Sequence, residues 1–215
     1  MEIDFVRSRF IKHFDGKTGN IYASPGRINL IGEHTDYNGG FVFPGAVEQG
    51  IMVEIRPNGH QSCNIYSIDM KDMCHFKLDD PKGPDTTWAR YIFGICKEMM
   101  ALGIDVKPFN AAFAGDVPLG AGMSSSAALE SCFGFALNDL FGDNKASKWD
   151  IALAGQATEH KYVGVKCGIM DQFASVFGLK GKLMRLDCRS REFEYFPWDP
   201  KGYKPVSYTH LTLPT

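Results

Sequence analysis

The stretch Pro118-Leu119-Gly120-Ala121-Gly122-Met123-Ser124-Ser125-Ser126-Ala127-Ala128 constrains this chain more than any other, because it joins an apolar run, Phe109 to Ala114, to a long helical pattern. Gly120 and Gly122 allow a tight turn and close approach of backbone to a ligand. The hydroxyls of Ser124, Ser125 and Ser126 follow where the free N–H groups of a helix start are exposed. Such a start carries roughly half a positive charge, so the turn is equipped to hold an anion, and a serine hydroxyl there could also ligate a metal bridging phosphate oxygens. The same pattern also serves as a plain strand-to-helix junction with a capping serine. No Gly-Lys-Ser/Thr follows at the required spacing, which excludes the Walker loop. A strand feeding a glycine-rich turn and then a helix is where α/β proteins tend to hold anions.

The remaining pattern supplies partners for that unit. Residues 2–14 place Ile3, Val6, Phe10 and Phe14 at helical spacing. From Asn20 two short apolar runs are separated by Pro25-Gly26 and closed by Asn38-Gly39-Gly40, which predicts strands with turns. Strands are also predicted over 47–56, 64–68, 74–78, 109–114, 182–187 and 192–196. Helices are predicted from an N-cap at Asp85-Thr86-Thr87 to Leu102, after the serine loop along Leu129, Cys132, Phe133, Ala136, Leu137 and Leu140, and over 147–163 behind a Ser147 cap. Glu159 is expected at the polar end of that last helix.

Charge and cysteine usage exclude several classes. A net charge of −2 with Lys and Arg scattered singly argues against nucleic acid or an anionic membrane as partner. No CxxC pair occurs among the six cysteines, at 63, 74, 96, 132, 167 and 188, which read as reduced and structural. The opening Met1-Glu2-Ile3-Asp4 lacks a basic leader, and no run of eighteen apolar residues occurs, so a cytoplasmic setting without a membrane span is expected. The oligomeric state is left open.

Two further clusters carry chemistry. Glu33, His34 and Asp36 crowd into one turn, with Arg27 upstream. Carboxylates there could accept hydrogen bonds from sugar hydroxyls, each worth roughly 1.5–3 kcal/mol. A solvated loop is the equal alternative, and one His with two carboxylates is a weak metal signature. Asp171 sits among Ile169, Met170 and Phe173, where a carboxylate is costly unless paired or working. It could equally cap a helix starting at Gln172.

Gly26-Arg27-Ile28-Asn29-Leu30-Ile31-Gly32-Glu33-His34-Thr35-Asp36-Tyr37-Asn38-Gly39-Gly40 resembles the galactokinase signature, and Pro118 to Ala128 is similar to the second motif of the wider GHMP kinase family. Cys167, Gly168, Asp171, Gln172 and Ser175 match the family's catalytic-aspartate context. The resemblance implies an α+β GHMP kinase N-terminal domain over residues 1–205, of the ribosomal protein S5 domain 2-like type with a mixed sheet packed by helices, carrying the signature at 24–40, the phosphate loop at 116–128 and the aspartate segment at 164–175. It further implies ATP and Mg2+ as cofactors and galactose as substrate, phosphorylated at C1. Gly120, Ala121, Gly122 and Ser124 to Ser126 would cradle phosphates, Trp88 would line the adenine pocket, and Ser126 or Ser125 with Glu159 would hold Mg2+. Glu33, His34, Asp36 and the Gly168 backbone would hold the sugar, Asp171 would accept its proton, and Arg27 would pair with that acid and stabilise the moving phosphoryl group.

Galactokinases are nearly twice as long as this chain. Val206-Ser207-Tyr208-Thr209-His210-Leu211-Thr212-Leu213-Pro214-Thr215 reads as a translated adapter or cloning scar, so a C-terminal GHMP domain is expected to be missing. With it absent, an apolar face is expected to be left open and the 215 residues alone to be inactive. The alternatives are a silent galactose- and ATP-binding regulator, disfavoured by Ser126-Ala127, and a kinase for another sugar such as N-acetylgalactosamine.

Overall fold

The computed structural model describes residues 1–118 and 121–202, so the predicted tail and the Leu119-Gly120 pair lie outside the described residues. In chain order the elements are α1 (Ile3–His13), β1 (Asn20–Asn29), β2 (Phe41–Val42), β3 (Pro44–Pro57), β4 (Cys63–Ser67), β5 (Asp72–Phe76), α2 (Thr87–Ala101) and β6 (Phe109–Gly115). Then come α3 (Ser125–Gly142), α4 (Lys148–Thr158), a π-helical turn (Glu159–Val163), α5 (Met170–Phe177), β7 (Lys182–Asp187) and β8 (Phe193–Pro197).

Five strands form one sheet in the order β1-β3-β6-β4-β5, antiparallel except for the β4–β6 pair. Alternation along the central strands divides the side chains between its two faces. Ile51, Val53 and Ile55 of β3, with Ala111 and Phe113 of β6, join the large core built from α2, α3, α4 and α5. Ala112 and Ala114 of β6 pack on the other face against Val6, Phe10 and Phe14. Glu54 also points to that second face and is fully buried, which is tolerable because Arg7 Nε donates to it at 3.2 Å and the Gly19 N–H at 2.7 Å. β2, β7 and β8 make a separate three-stranded antiparallel sheet.

Pro25-Gly26 does not end a strand as the sequence predicts. β1 is an edge strand, where a proline's missing N–H breaks no ladder, and it continues through a bulge between Pro25 and Arg27. The bulge brings the Arg27 N–H to the Met123 carbonyl at 3.1 Å, tying β1 to the serine loop. A side chain on Gly26 would run into that same carbonyl. The α4 N-terminus is closed by a capping box between Ser147 and Asp150. All six cysteines are free thiols, and no helix among the described residues is long and apolar enough to cross a membrane. Beside the turn at 33–36, Leu30, Ile31, Tyr37 and Phe41 present exposed apolar side chains, Ile31 at 72 %.

Candidate active site at the serine loop

Asp171 lies in the first turn of α5, behind an N-cap at Ile169, so it is not the capping residue that its position before Gln172 suggested. Its carboxylate leaves the helix to meet three donors. Arg27 Nε and Nη2 both reach Oδ1, at 2.8 and 2.6 Å, and the Ser124 hydroxyl donates to Oδ2. Arg27 also donates through Nη1 to the Gly122 carbonyl. The acid from α5, the cation from β1 and two residues of the loop thus form one closed ring of hydrogen bonds. Asp171 retains 27 % side-chain exposure against 12 % for Arg27, so the acid is the more open of the pair.

The loop reaches this ring through unusual backbone. Gly122 has φ +65° with open space about it, and Ser124, the N-cap of α3, has φ +57°, a left-handed conformation that serine seldom adopts. The Ala121 N–H bonds the Pro118 carbonyl at 3.3 Å. Gly120, predicted to cradle phosphates, lies outside the described residues.

The turn that carries Glu33, His34 and Asp36 borders the same acid. Asp36 starts a short 3₁₀ turn (Asp36–Asn38) ended by Gly39 at φ +68°. Burial pushes Asp36 above the usual carboxylate range, the Asp171 charge adds to this, and the Met170 N–H partly offsets it. Gly168 abuts the Asp36 carboxylate so closely that even a methyl group there would overlap it. Glu33 is exposed and accepts from Asn29 Nδ2 at 2.7 Å. His34, exposed at φ +63°, pairs its Nδ1 with the Tyr37 hydroxyl at 2.8 Å. Of the three, the structure brings the half-buried Asp36 beside Asp171, while Glu33 and His34 stay exposed on the same turn with Asn29 and Tyr37 as their partners, a donor and acceptor set suited to hydroxyls.

Glu159 departs from the expected polar helix end. The π-helical turn folds it inward to 6 % exposure, and the turn closes where its carbonyl accepts from Gly164 and Val165. Burial raises its pKa, while hydrogen bonds from Ser126 and Cys167 oppose the rise. Gln172 Nε2 bridges Glu159 Oε1 at 3.4 Å and Glu130 Oε2 at 3.1 Å. Glu130 is wholly buried, and its desolvation, with Glu159 nearby, holds its carboxyl well above the usual range. Sequence reasoning did not single out Glu130 as functional; its signal was a carboxylate on the apolar stripe of α3. No cluster of three or more His, Cys, Asp or Glu suited to a metal occurs among the described residues. A serine hydroxyl beside one carboxylate is an oxygen-only pair, and it fits Mg2+ carried mainly by phosphates and water.

On the other side of Ser125 and Ser126 opens a cavity of about 530 Å3 walled by Ile51, Trp88, Tyr91, Phe113, Val117 and Leu129. Trp88 is set by its Nε1–H donating to Asp72 at 3.1 Å and by the Phe113 ring at 5.5 Å. An apolar, aromatic chamber that opens onto a hydroxyl-rich helix start has the shape of a base pocket joined to a phosphate site.

Known proteins resemble this chain in sequence and fold. The galactokinase galactose-binding signature matches residues 8–57, and the GHMP kinases N terminal domain matches residues 90–179. A galactokinase of Clostridium perfringens is 40% identical over 201 residues, which is 92% of this chain and 52% of that protein. One from Chloroflexus aggregans is 37% identical over 206 residues, again covering 52% of it, so the chain spans about half the length of the curated relatives it matches. The crystal structure of Lactococcus lactis galactokinase complexed with galactose superposes with a TM-score of 0.87 at 34% identity, over 97% of this chain and 57% of that one. Methanococcus jannaschii mevalonate kinase, at 18% identity and a TM-score of 0.66 over 82% of this chain and 55% of its own, shares the fold. In sequence and fold the chain is thus similar to the N-terminal half of galactokinases, with the GHMP kinases N terminal domain matched over its central part.

Proposed function

We propose that, in a protein of its relatives' length, this chain transfers the γ-phosphoryl group of ATP to the anomeric C1 hydroxyl of galactose, giving galactose 1-phosphate and ADP, the first step of galactose catabolism. The observation that carries the proposal is Asp171, gripped by Arg27 and placed between the Ser124 end of the phosphate loop and the Asp36 carboxylate. Phosphoryl transfer demands mostly alignment and charge stabilisation, and those are what this geometry supplies.

Galactose binds through Glu33, His34, Asp36 and the Gly168 backbone, with its C1 hydroxyl toward Asp171. Asp171 accepts the hydroxyl proton as the oxygen forms its bond to the γ-phosphorus and the bond to the ADP oxygen breaks. Arg27 holds the acid and keeps N–H groups free for the developing phosphoryl charge. Ala121, Gly122, Ser125 and Ser126 face the triphosphate, and Trp88 lines the base chamber. Mg2+ would neutralise phosphate charge when bound, held on the protein side by Ser126 and Glu159. Six free thiols suit the reducing cytoplasm as its setting.

The test is galactose-dependent ADP release from a protein of that length, run against a panel of sugars. Turnover with galactose is expected; binding without turnover would select a silent sensor, and preference for N-acetylgalactosamine another kinase. Gly168→Ala offers a sharper check, because the added methyl displaces the Asp36 carboxylate. Titration calorimetry is expected to show galactose affinity lowered roughly tenfold or more, as for loss of one charged hydrogen bond. Unchanged affinity would remove Asp36 from the sugar site.

A further inference from the structure

The serine loop carries three hydroxyls, and they do not point to the same place. Ser125 and Ser126 line the chamber, and Ser126 lies beside Glu159. Ser124 faces the opposite way, donating to Asp171 Oδ2, the oxygen that Arg27 leaves free. Its left-handed φ of +57° is what turns it there, at a position where glycine would rest more easily. A strained serine whose hydroxyl lies on the reacting acid calls for a use of that hydroxyl.

We infer that Ser124 is a positioning residue for Asp171: its hydroxyl fixes the second carboxylate oxygen and locks the phosphate loop to the acid. The inference rests on the proposed phosphoryl transfer for its kinetic consequence, and on the hydrogen-bonded ring alone for its structural one. Arg27 pins Oδ1 from one side, and Ser124 pins Oδ2 from the other. Arg27 closes the ring at Gly122, so the acid and the loop move as one body. Loop residues that meet the nucleotide thereby set the direction in which the acid receives a proton.

Three variants test this. Ser124→Gly removes the hydroxyl and relaxes the backbone, Ser124→Ala removes the hydroxyl and keeps the backbone cost, and Ser126→Ala serves as the chamber-side comparison. In the protein of full relatives' length, both Ser124 variants are expected to lose roughly ten- to a hundredfold in kcat, with the KM for MgATP within about threefold. Ser126→Ala is expected to raise that KM instead. If Ser124→Gly keeps wild-type kcat while Ser124→Ala loses it, backbone strain is the cause and the inference fails. Raised MgATP KM in both Ser124 variants would return the residue to the phosphate site and overturn it as well.

Carboxyl 13C NMR of the 215-residue chain separates this from failure of the kinase proposal. The Asp171 carboxyl resonance is expected to shift in both Ser124 variants and hold still in Ser126→Ala, whether or not any sugar is phosphorylated. An Asp171 signal indifferent to Ser124 would refute the inference by itself.

Discussion

Asp171→Asn is expected to lower phosphoryl transfer to galactose by roughly 10²–10⁴-fold while galactose binds within a few-fold of wild type. Asparagine keeps the volume of the side chain, and its carbonyl oxygen can still accept both Arg27 bonds now made to Oδ1. Its amide can donate to the Ser124 hydroxyl in place of accepting from it, so the ring survives. What disappears is the ability to accept a proton from the sugar. Single-turnover transfer measured beside calorimetric binding reads the two effects separately. Transfer within tenfold of wild type would mean that Asp171 orients the hydroxyl without taking its proton.

The second large effect lies two residues along the same helix. Phe173 is fully buried, with ring centroids 5.5 Å from Trp149 of α4 and 5.0 Å from Phe177 and from Phe193 of β8. Phe173→Ala is expected to cost about 3–5 kcal/mol, because this cluster joins two helices to the small sheet and has little room to collapse. For a chain of this size that lowers the melting temperature by roughly 6–20 °C. Phe173→Leu is expected to lose less than half as much. A calorimetric midpoint within 2 °C of wild type, about the scale of a surface substitution, would show that α5 is held by other contacts.

Much of this was written in local pattern. The stripes of α2 and α3, the Ser147 cap and the apolar run of β6 depend on neighbours three or four residues away or on alternation, and they appear where the sequence places them. Features set by distant partners were not legible. Pro25-Gly26 has the composition of a turn, and only its place on a sheet edge makes it a bulge. β2, two residues long, has too few positions to show alternation. Glu159 looked like a solvated helix end because nothing nearby in sequence reveals Gln172, Ser126 and Tyr91 closing over it. The residue types of the site were readable, but the direction of each hydroxyl was not. Ser124, Ser125 and Ser126 are identical in sequence terms, yet Ser124, at a left-handed backbone angle, meets Asp171 while the other two line the chamber.

The position of β6 bears on the order in which the protein assembles. β6 lies between β3 and β4, both of which precede it in the chain, and pairs with one antiparallel and with the other in parallel. As synthesis proceeds, β1 with β3 and β4 with β5 can form as two separate ribbons, but no hydrogen bond joins them until Phe109–Gly115 has been made. The seam is then zipped by the strand that delivers the serine loop, so formation of the site at that loop is expected late in folding and reports that the whole sheet has closed.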